Sequence, residues 1–385
     1  MTGLPLYAEH RAPASFPARG QGHPGLWFER FFAQYARDFS LGNEAKSDFL
    51  KTLCAPGPGA LRVGDPDALK AHWMRQAALM AHRGGRQCAF SSRWHFATGL
   101  GLPHPVENGL LFHPTLGVPY LPGSSVKGLV RAWIEQHLAE PEAALKRIFG
   151  SRSKDPAASD EFVAGEVLFF DALPVEPVSL VIDTMTPHMG QWYEQGAEQP
   201  GIRETLPADW HDPVPVPFLA VKQTSLAFPF APRVRRDDTP ALLALVEEML
   251  ERALWHAGAG AKTAAGYGSF AACDDDVVKK LDDWTRDIEQ AWEEARERQA
   301  LAALSPSQQR LAWLERAVQE SVNQNPSSGG DFRNALLADV REAAVHWPEA
   351  DRDALLALVQ SFLKTHGSKN KLKEFKQLRR ELWGD

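Results

Sequence analysis

Apolar residues in the first part of the chain recur with helical spacing in some segments and strand spacing in others. Aromatic residues at helical spacing predict a packed helix over residues 26–39. Asp65 is a good N-cap and Pro66 suits the first helical position, so a second helix is predicted from there to Gly84. Apolar residues then alternate, which predicts a strand over residues 87–97.

The pattern continues with shorter elements separated by Gly and Pro. Apolar pieces at 110–112 and 118–121 predict a hairpin. Ser124 or Ser125 is predicted to cap a helix that runs to Leu138. The later predicted elements are a short helix at 142–149, strands at 163–172 and 178–184, a polar loop at 185–212, edge strands or a projecting hairpin at 213–230, a helix at 240–255 that Gly258 ends, and a strand at 266–273.

The order of the central elements is β-α-β-β-α-β, with the two middle strands at 163–172 and 178–184. This is the order of the ferredoxin-like fold, so an α+β domain with long insertions is predicted. An all-α region follows, with helices predicted at 276–303, 306–322, 331–345, 349–365 and 369–383. The predicted division is an N-terminal arm with helices at 1–84, the ferredoxin-like core at 85–273 and a helical domain at 274–385.

Composition excludes several classes of protein. Of 385 residues, 44% are hydrophobic and 24% charged, which is typical of a folded globular chain. A net charge of −7 excludes a uniformly basic nucleic-acid binder but leaves room for a local basic face. Three cysteines without a CxxC pair exclude a disulfide framework or cysteine zinc site and suit the cytoplasm. No secretory signal or membrane-spanning stretch is predicted.

Basic residues are unevenly distributed. Between Ala68 and Ile134 the only acid is Glu107. That window contains Lys70, Arg75, Arg83, Arg86, Arg93, Lys127 and Arg131. Further clusters are Arg233, Arg235 and Arg236, and then Lys364, Lys369, Lys371, Lys373, Lys376, Arg379 and Arg380. Such clusters indicate either phosphate contact or a solvated face, and the sequence leaves both readings open.

Residues 258–268 form a glycine-rich connection between a predicted helix and a predicted strand. It is not a P-loop, because Ala261 and His256 stand where that motif requires glycine. It is not a dinucleotide fingerprint, because Thr263 stands where the third glycine belongs. Two interpretations remain, a loop whose N–H groups approach a phosphate backbone and a tight connection that needs positive φ.

Two further segments carry candidate chemistry. Residues 122–128 combine two serines, Lys127 and a predicted helix N-terminus, which together suit an anion. Asp183 and His188 indicate an acid–base pair or, with other residues, a metal site, but a structural loop is the simpler interpretation. The other residues that could complete such a metal site are Asp209, His211 and Asp212.

Taken together, six segments in this order resemble the RAMP superfamily of type III CRISPR systems. The resemblance covers residues 85–273 and is strongest to the sixth subunit family of type III-B (Cmr) effector complexes. Its segments are 99–109, 117–131, 149–150, 165–172, 183–188 and 258–268.

The resemblance implies an RRM-like, ferredoxin-type fold and a non-catalytic subunit without metal or cofactor. Such a subunit binds guide RNA, which pairs with target RNA, and caps the backbone filament near the guide's 3′ end beside other RAMP subunits. It also implies a projecting hairpin within 200–235 that wedges between guide nucleotides. The residues expected to face RNA are Gly123, Ser124, Ser125, Lys127, Arg131, Gly260, Lys262, Thr263, Gly266, Tyr267 and Gly268.

Two alternative functions stay open at this point. The first is an endoribonuclease that processes repeat RNA and uses His188 or another histidine as general acid or base. The second is a protein-only adaptor in which residues 274–385 form a docking module.

Overall fold

The computed structural model of the chain describes residues 22–32, 34–36, 38–54, 62–151, 163–208, 210–323, 330–366 and 369–384. It divides into two compact units, Met1–Glu289 and Gln290–Asp385. Residues 1–21 of the predicted N-terminal region lie outside the described residues, as does Asp209. The predicted division into three domains stays a prediction.

The strands of the first unit form two sheets in which every neighbouring pair is antiparallel. One sheet has the order β1-β5-β6, and the other has the order β3-β7-β2-β8 with β4 also paired to β7. The strands are β1 (Arg62–Val63), β2 (Arg86–Ser92), β3 (Val167–Phe169), β4 (Leu173–Pro174), β5 (Val178–Met185), β6 (Val216–Val221), β7 (Ser225–Pro232) and β8 (Phe270–Ala272).

Helices connect these strands and cover the larger sheet. Short 3₁₀ turns lie at Arg203–Thr205 and Thr263–Ala265. The α-helices of the first unit are α1 (Pro24–Arg30), α2 (Asn43–Lys51), α3 (Pro66–Arg83), α4 (Gly123–His137), α5 (Pro141–Phe149), α6 (Gly190–Gln195) and α7 (Thr239–His256), joined by the N-terminal part of α8 (Asp275–Ala302).

The larger sheet and the helices between its strands form the α+β architecture that the sequence predicts. Helix α4 lies between β2 and β3 in the chain, and α7 lies between β7 and β8. With the sheet order β3-β7-β2-β8, this arrangement is compatible with a ferredoxin-like fold.

The prediction of which strands belong to the larger sheet was partly wrong. The segment predicted at 178–184 is β5, and it pairs with β1 and β6 in the smaller sheet. Its place is taken by β7, which is buried along nearly its whole length, as expected of an interior strand. The prolines of β7 predicted an edge strand. Pro229, however, lies between the stretch that pairs with β3 and the stretch that pairs with β4, where the ladder is interrupted and a missing N–H is tolerated.

The two N-terminal helix predictions had different outcomes. For α3 the prediction is confirmed, because the Asp65 carboxylate accepts the N–H of Ala68 at 2.7 Å and Gly84 ends the helix with φ +66°. The helix predicted over residues 26–39 is wrong in length, since α1 ends at Arg30. The aromatic spacing reflects core packing in an irregular segment, not continued helix.

The second unit is helical, as predicted, with boundaries within two residues of those expected. Its helices are the C-terminal part of α8, α9 (Pro306–Asn323), α10 (Gly330–His346), α11 (Glu349–His366) and α12 (Lys369–Trp383). Its own core contains Leu336, Val340, Leu355, Val359, Phe362 and Phe375. Between α9 and α10, Arg310 donates two hydrogen bonds to the buried Asp339 carboxylate, at 2.9 and 3.1 Å.

Candidate functional site

Three segments that are far apart in the chain line one cleft in the first unit, with a volume of about 580 Å³. They are residues 98–101, the start of α4 and the glycine-rich connection after α7. The fold therefore brings together two segments that the sequence singled out separately. Of the predicted site residues, Ser125, Gly260 and Thr263 line the cleft directly.

Packing explains two glycines of the 258–268 connection. A Cβ on Gly260 would lie 2.2 Å from the Ala97 carbonyl oxygen, and one on Gly268 would lie 1.9 Å from that of Ala259. Both residues also have positive φ, of +96° and +63°. The interpretation as a tight connection that needs glycine is therefore confirmed.

Hydrogen bonding limits what this connection offers to a phosphate. The Gly268 N–H donates to the His95 carbonyl at 2.8 Å, and the Gly266 N–H donates to that of Thr263 at 2.9 Å. Both N–H groups are thus satisfied within the fold and are poor candidates for phosphate donors. The backbone of Gly260, by contrast, is exposed and lines the cleft.

Tyr267 and Lys262 are held by contacts inside the unit. The Tyr267 ring is 8% exposed, which removes it as a base-stacking surface. Its hydroxyl donates to Asp183, and burial together with this bond raises the pKa of Tyr267 to about 12. The Lys262 ammonium lies 5.4 Å from the centroid of the Phe218 ring, which is a cation–π contact.

The N-terminus of α4 differs from the predicted capping arrangement. The helix begins at Gly123, and its N-cap residue, Pro122, has no side-chain capping hydrogen bond. The prediction that Ser124 or Ser125 caps the helix was therefore wrong. Instead the Asp171 carboxylate, from a distant segment, accepts the Gly123 N–H at 2.7 Å. The helix N-terminus therefore already holds a carboxylate, which competes with an incoming phosphate there.

The remaining predicted residues of α4 fall into two groups. Ser124, Ser125 and Lys127 are exposed. The Arg131 guanidinium instead forms an ion pair with Glu135 at 2.9 Å and lies 5.6 Å from the Phe149 ring centroid. Of the predicted residues on α4, Ser124, Ser125 and Lys127 are therefore accessible to a ligand, and Ser125 lines the cleft.

An aromatic and histidine surface continues from the cleft, and the sequence analysis missed it. A second depression of about 700 Å³ shares Leu129 and Ala257 with the cleft. It contains Trp133, with the His137 ring stacked on it at a centroid distance of 3.6 Å and the parallel His256 ring at 5.5 Å. The available signal was the i,i+4 spacing of Trp133 and His137 on α4.

The arginine cluster at 233–236 has a structural role in the first unit. The Arg235 guanidinium donates to carbonyl oxygens at the end of α3, including that of Arg83. Arg233 donates to the Gly165 carbonyl at 2.9 Å, and Arg236 pairs with Glu166 at 3.0 Å. Loop anchoring accounts for these guanidinium groups, so phosphate contact is not needed to explain them.

The predicted metal or acid–base site at Asp183 is not assembled in the parts of the chain that the structure describes. The Asp183 carboxylate accepts from Tyr267 and from the Thr184 N–H, while His211 bonds the Leu206 carbonyl at 2.8 Å. Among the described residues no group of three His, Cys, Asp or Glu side chains is arranged to hold a metal ion. In that same set, no helix is long and apolar enough to cross a membrane.

The residues that line the cleft lie within a segment that is similar to a known protein family. Residues 87–271 match the RAMP superfamily. The chain is 30% identical over 232 residues to the CRISPR system Cmr subunit Cmr6 of Pyrococcus furiosus, covering 46% of this chain and 65% of that protein. It is 33% identical over 96 residues to the CRISPR system CMR subunit Cmr6 of Saccharolobus solfataricus, covering 24% of this chain and 30% of that protein. The chain thus spans less than two thirds of either relative.

Solved structures show more distant similarity. The cryo-EM structure of the Type III-B Cmr-beta bound to cognate target RNA contains a chain with 21% identity and a TM-score of 0.46, matched over 60% of this chain and 72% of that one. The crystal structure of Cmr6 from Pyrococcus furiosus has 23% identity and a TM-score of 0.31, over 49% of this chain and 98% of that one.

Proposed function

We propose that the chain is a non-catalytic, RNA-binding subunit of a type III-B CRISPR effector complex, since residues 87–271 match the RAMP superfamily. In this role it binds guide RNA at the cleft, caps the backbone filament near the guide's 3′ end and contacts the neighbouring RAMP subunits. The Cmr6 relatives support the assignment to this kind of complex.

The observation that carries the RNA-binding role is the convergence of residues 98–101, α4 and the glycine connection on one cleft. Exposed hydroxyls of Ser124 and Ser125, the Lys127 ammonium and the Gly260 backbone suit phosphates and 2′-hydroxyls. None of these groups distinguishes one base from another. Recognition is therefore directed at the RNA backbone and is largely independent of sequence.

The aromatic surface next to the cleft adds stacking to this backbone recognition. Bases of a single strand leave their flat faces available to aromatic rings, and each such stack contributes about 1–3 kcal/mol. The exposed His137 and His256 rings, which stack on Trp133, provide such faces beside the cleft. We therefore assign one or more unpaired guide nucleotides to this surface.

The first experiment is purification of the tagged full chain from its host at mild salt, with sequencing of bound RNA and mass spectrometry of bound proteins. The proposal predicts discrete RNAs with CRISPR repeat-derived ends together with RAMP subunits. Recovery of RAMP subunits without such RNA would favour the protein-only adaptor. Recovery of the chain alone would contradict the assignment to the complex.

A substitution at Gly101 tests the cleft itself. Gly101 lines the cleft, and a Cβ there would meet no atom within 4 Å, so Gly101→Glu adds bulk and negative charge without an internal clash. We expect at least a tenfold loss of RNA affinity, equivalent to about 1.4 kcal/mol. Gly42→Glu is the control, because Gly42 is equally unobstructed and does not line the cleft. Equal RNA affinity of the two variants would contradict the cleft assignment.

Activity measurements separate this proposal from the ribonuclease alternative. The Asp183 carboxylate is engaged by Tyr267, so it is not arranged to orient His188. We expect no cleavage of repeat RNA by the purified chain in EDTA. Cleavage that His188→Ala abolishes would contradict the non-catalytic assignment.

A further inference from the structure

Helix α12 of the second unit has a concentrated positive charge. Its fifteen residues include six Lys or Arg and two Glu. At about 100° per residue, four of the basic residues fall within about 60° of one another around the helix. We call these four the basic stripe: Lys369, Lys373, Lys376 and Arg380.

The other faces of α12 have different roles. Phe375 and Leu378 are buried in the core of the unit, on the side that faces away from the basic stripe. The two acids lie outside the stripe, where Glu374 pairs with Lys371 at 2.7 Å and Glu381 accepts from Gln377 at 3.0 Å. Neither acid therefore interrupts the row of positive charge.

Helix stability does not explain this row. The first turn of α12 has no acid and begins with Lys369, although the helix dipole favours acids at this end. Like charges at i,i+4, such as Lys369 with Lys373 and Lys376 with Arg380, weaken a helix. In the part of the chain that the structure describes, no carboxylate pairs with Lys369, Lys373 or Lys376, and all three are exposed. Among the described residues, these three lysines therefore have no ion-pair role, and their like charges weaken the helix.

We propose that the basic stripe binds the phosphate backbone of a single-stranded nucleic acid, as a second contact independent of the cleft. From Lys369 to Arg380 the stripe extends about 16 Å along the helix axis, which is enough for several successive phosphates. Lysine binds phosphate as a point charge and does not distinguish one base from another. The contact is therefore independent of sequence.

The composition of the stripe favours a nucleic acid over a protein or a membrane. Protein interfaces are depleted in Lys and centre on aromatic or apolar anchor residues. The stripe is rich in Lys and contains no aromatic or apolar residue. A membrane-surface helix would need an exposed apolar face, but Phe375 and Leu378 of α12 are buried in the unit. A row of positive charge without apolar anchors matches a polyanion.

Salt-dependent binding of the full chain to a 30-nucleotide oligouridylate tests the proposal. The stripe variant is Lys369→Gln, Lys373→Gln and Lys376→Gln, since Gln keeps helix propensity. The charge-matched control is Lys279→Gln, Arg298→Gln and Arg341→Gln, three exposed residues outside α12. Both sets are also made with Gly101→Glu, so that loss of cleft binding and loss of stripe binding are measured separately.

We expect the stripe variant to bind at least tenfold more weakly than the control at low salt, with or without Gly101→Glu. Its slope of log affinity against log salt should be shallower by about 2, because each lost phosphate contact accounts for about 0.7. A Lys→Arg variant at the same three positions should bind like the wild type, and it guards against misfolding as the cause. A DNA strand of the same length should bind equally, because the stripe reads phosphate.

Two results would overturn the proposal. One is equal affinity and equal salt slope for the stripe and control variants in both backgrounds. The other is unchanged RNA binding together with loss of a copurifying protein partner, which would assign the stripe to an acidic protein surface.

Discussion

The glycine connection at 258–268 and helix α12 are both conspicuous in the sequence, but the structure explains them differently. In the connection, Gly260 and Gly268 are needed to avoid clashes with neighbouring carbonyl oxygens. In α12, the lysines of the basic stripe are exposed and have no ion pair among the described residues, and Lys369 in the first turn opposes the helix dipole. A motif that the fold itself requires is weak support for a ligand, whereas charge that the fold does not use is stronger support.

The largest expected effect concerns the glycine connection. Gly268→Ala places a Cβ against the Ala259 carbonyl at positive φ, and we expect backbone strain and overpacking together to lower the free energy of unfolding by about 4–5 kcal/mol. Gly266→Ala is the control, because its φ is also positive, +91°, but its Cβ would meet no atom within 4 Å. Denaturant unfolding of both variants measures the difference. Equal stability would show that backbone conformation alone, not packing, requires these glycines.

The second effect compares two faces of α12. Phe375 is 1% exposed, so Phe375→Ala should lower the free energy of unfolding of the second unit by about 3–4 kcal/mol. Lys376→Gln should change it by no more than about 0.5 kcal/mol, since the side chain is exposed. Hydrogen exchange in residues 330–384 reports on this unit. A large loss of protection in Lys376→Gln would show that the stripe is structural.

A pH effect tests the burial of His72 on α3. Burial, with smaller contributions from His113 and Arg75, lowers the pKa of His72 to about 4 from 6.5. The unfolded state therefore takes up a proton before the folded state does. The stability that neutral His72 contributes is complete above pH 6.5 and is lost as the pH falls toward 4. His72→Leu should flatten the stability profile in that interval, and an unchanged profile would show that His72 does not titrate this way.

Local rules predicted much of the fold. The cap at Asp65, the end of α3 at Gly84 and the helices of the second unit follow from residues adjacent in the chain, and their prediction succeeded. The interior position of β7 was missed. A proline is tolerated at position 229 because β3 pairs with β7 on one side of it and β4 on the other, and the sequence does not show that gap. The shortened α1 was missed because helical spacing of aromatics also suits an irregular core segment.

Two segments that the sequence singled out meet at one cleft, but the contacts of their side chains were not predictable. The residues around Ser125 and Thr263 do line one cleft, but the sequence did not show that Asp171 reaches the Gly123 N–H or that Asp183 binds Tyr267. Both contacts join segments that are distant in the chain. Both contacts reduce the number of groups at the cleft that are free to bind a ligand.

The central claim, RNA binding at the cleft, is tested most directly by ultraviolet crosslinking of the RNA-bound complex and mass spectrometry of the crosslinked peptides. The account predicts crosslinks in residues 98–101, in 122–137 of α4 and in 256–263. Crosslinks elsewhere in the first unit, with none in these three segments, would contradict it.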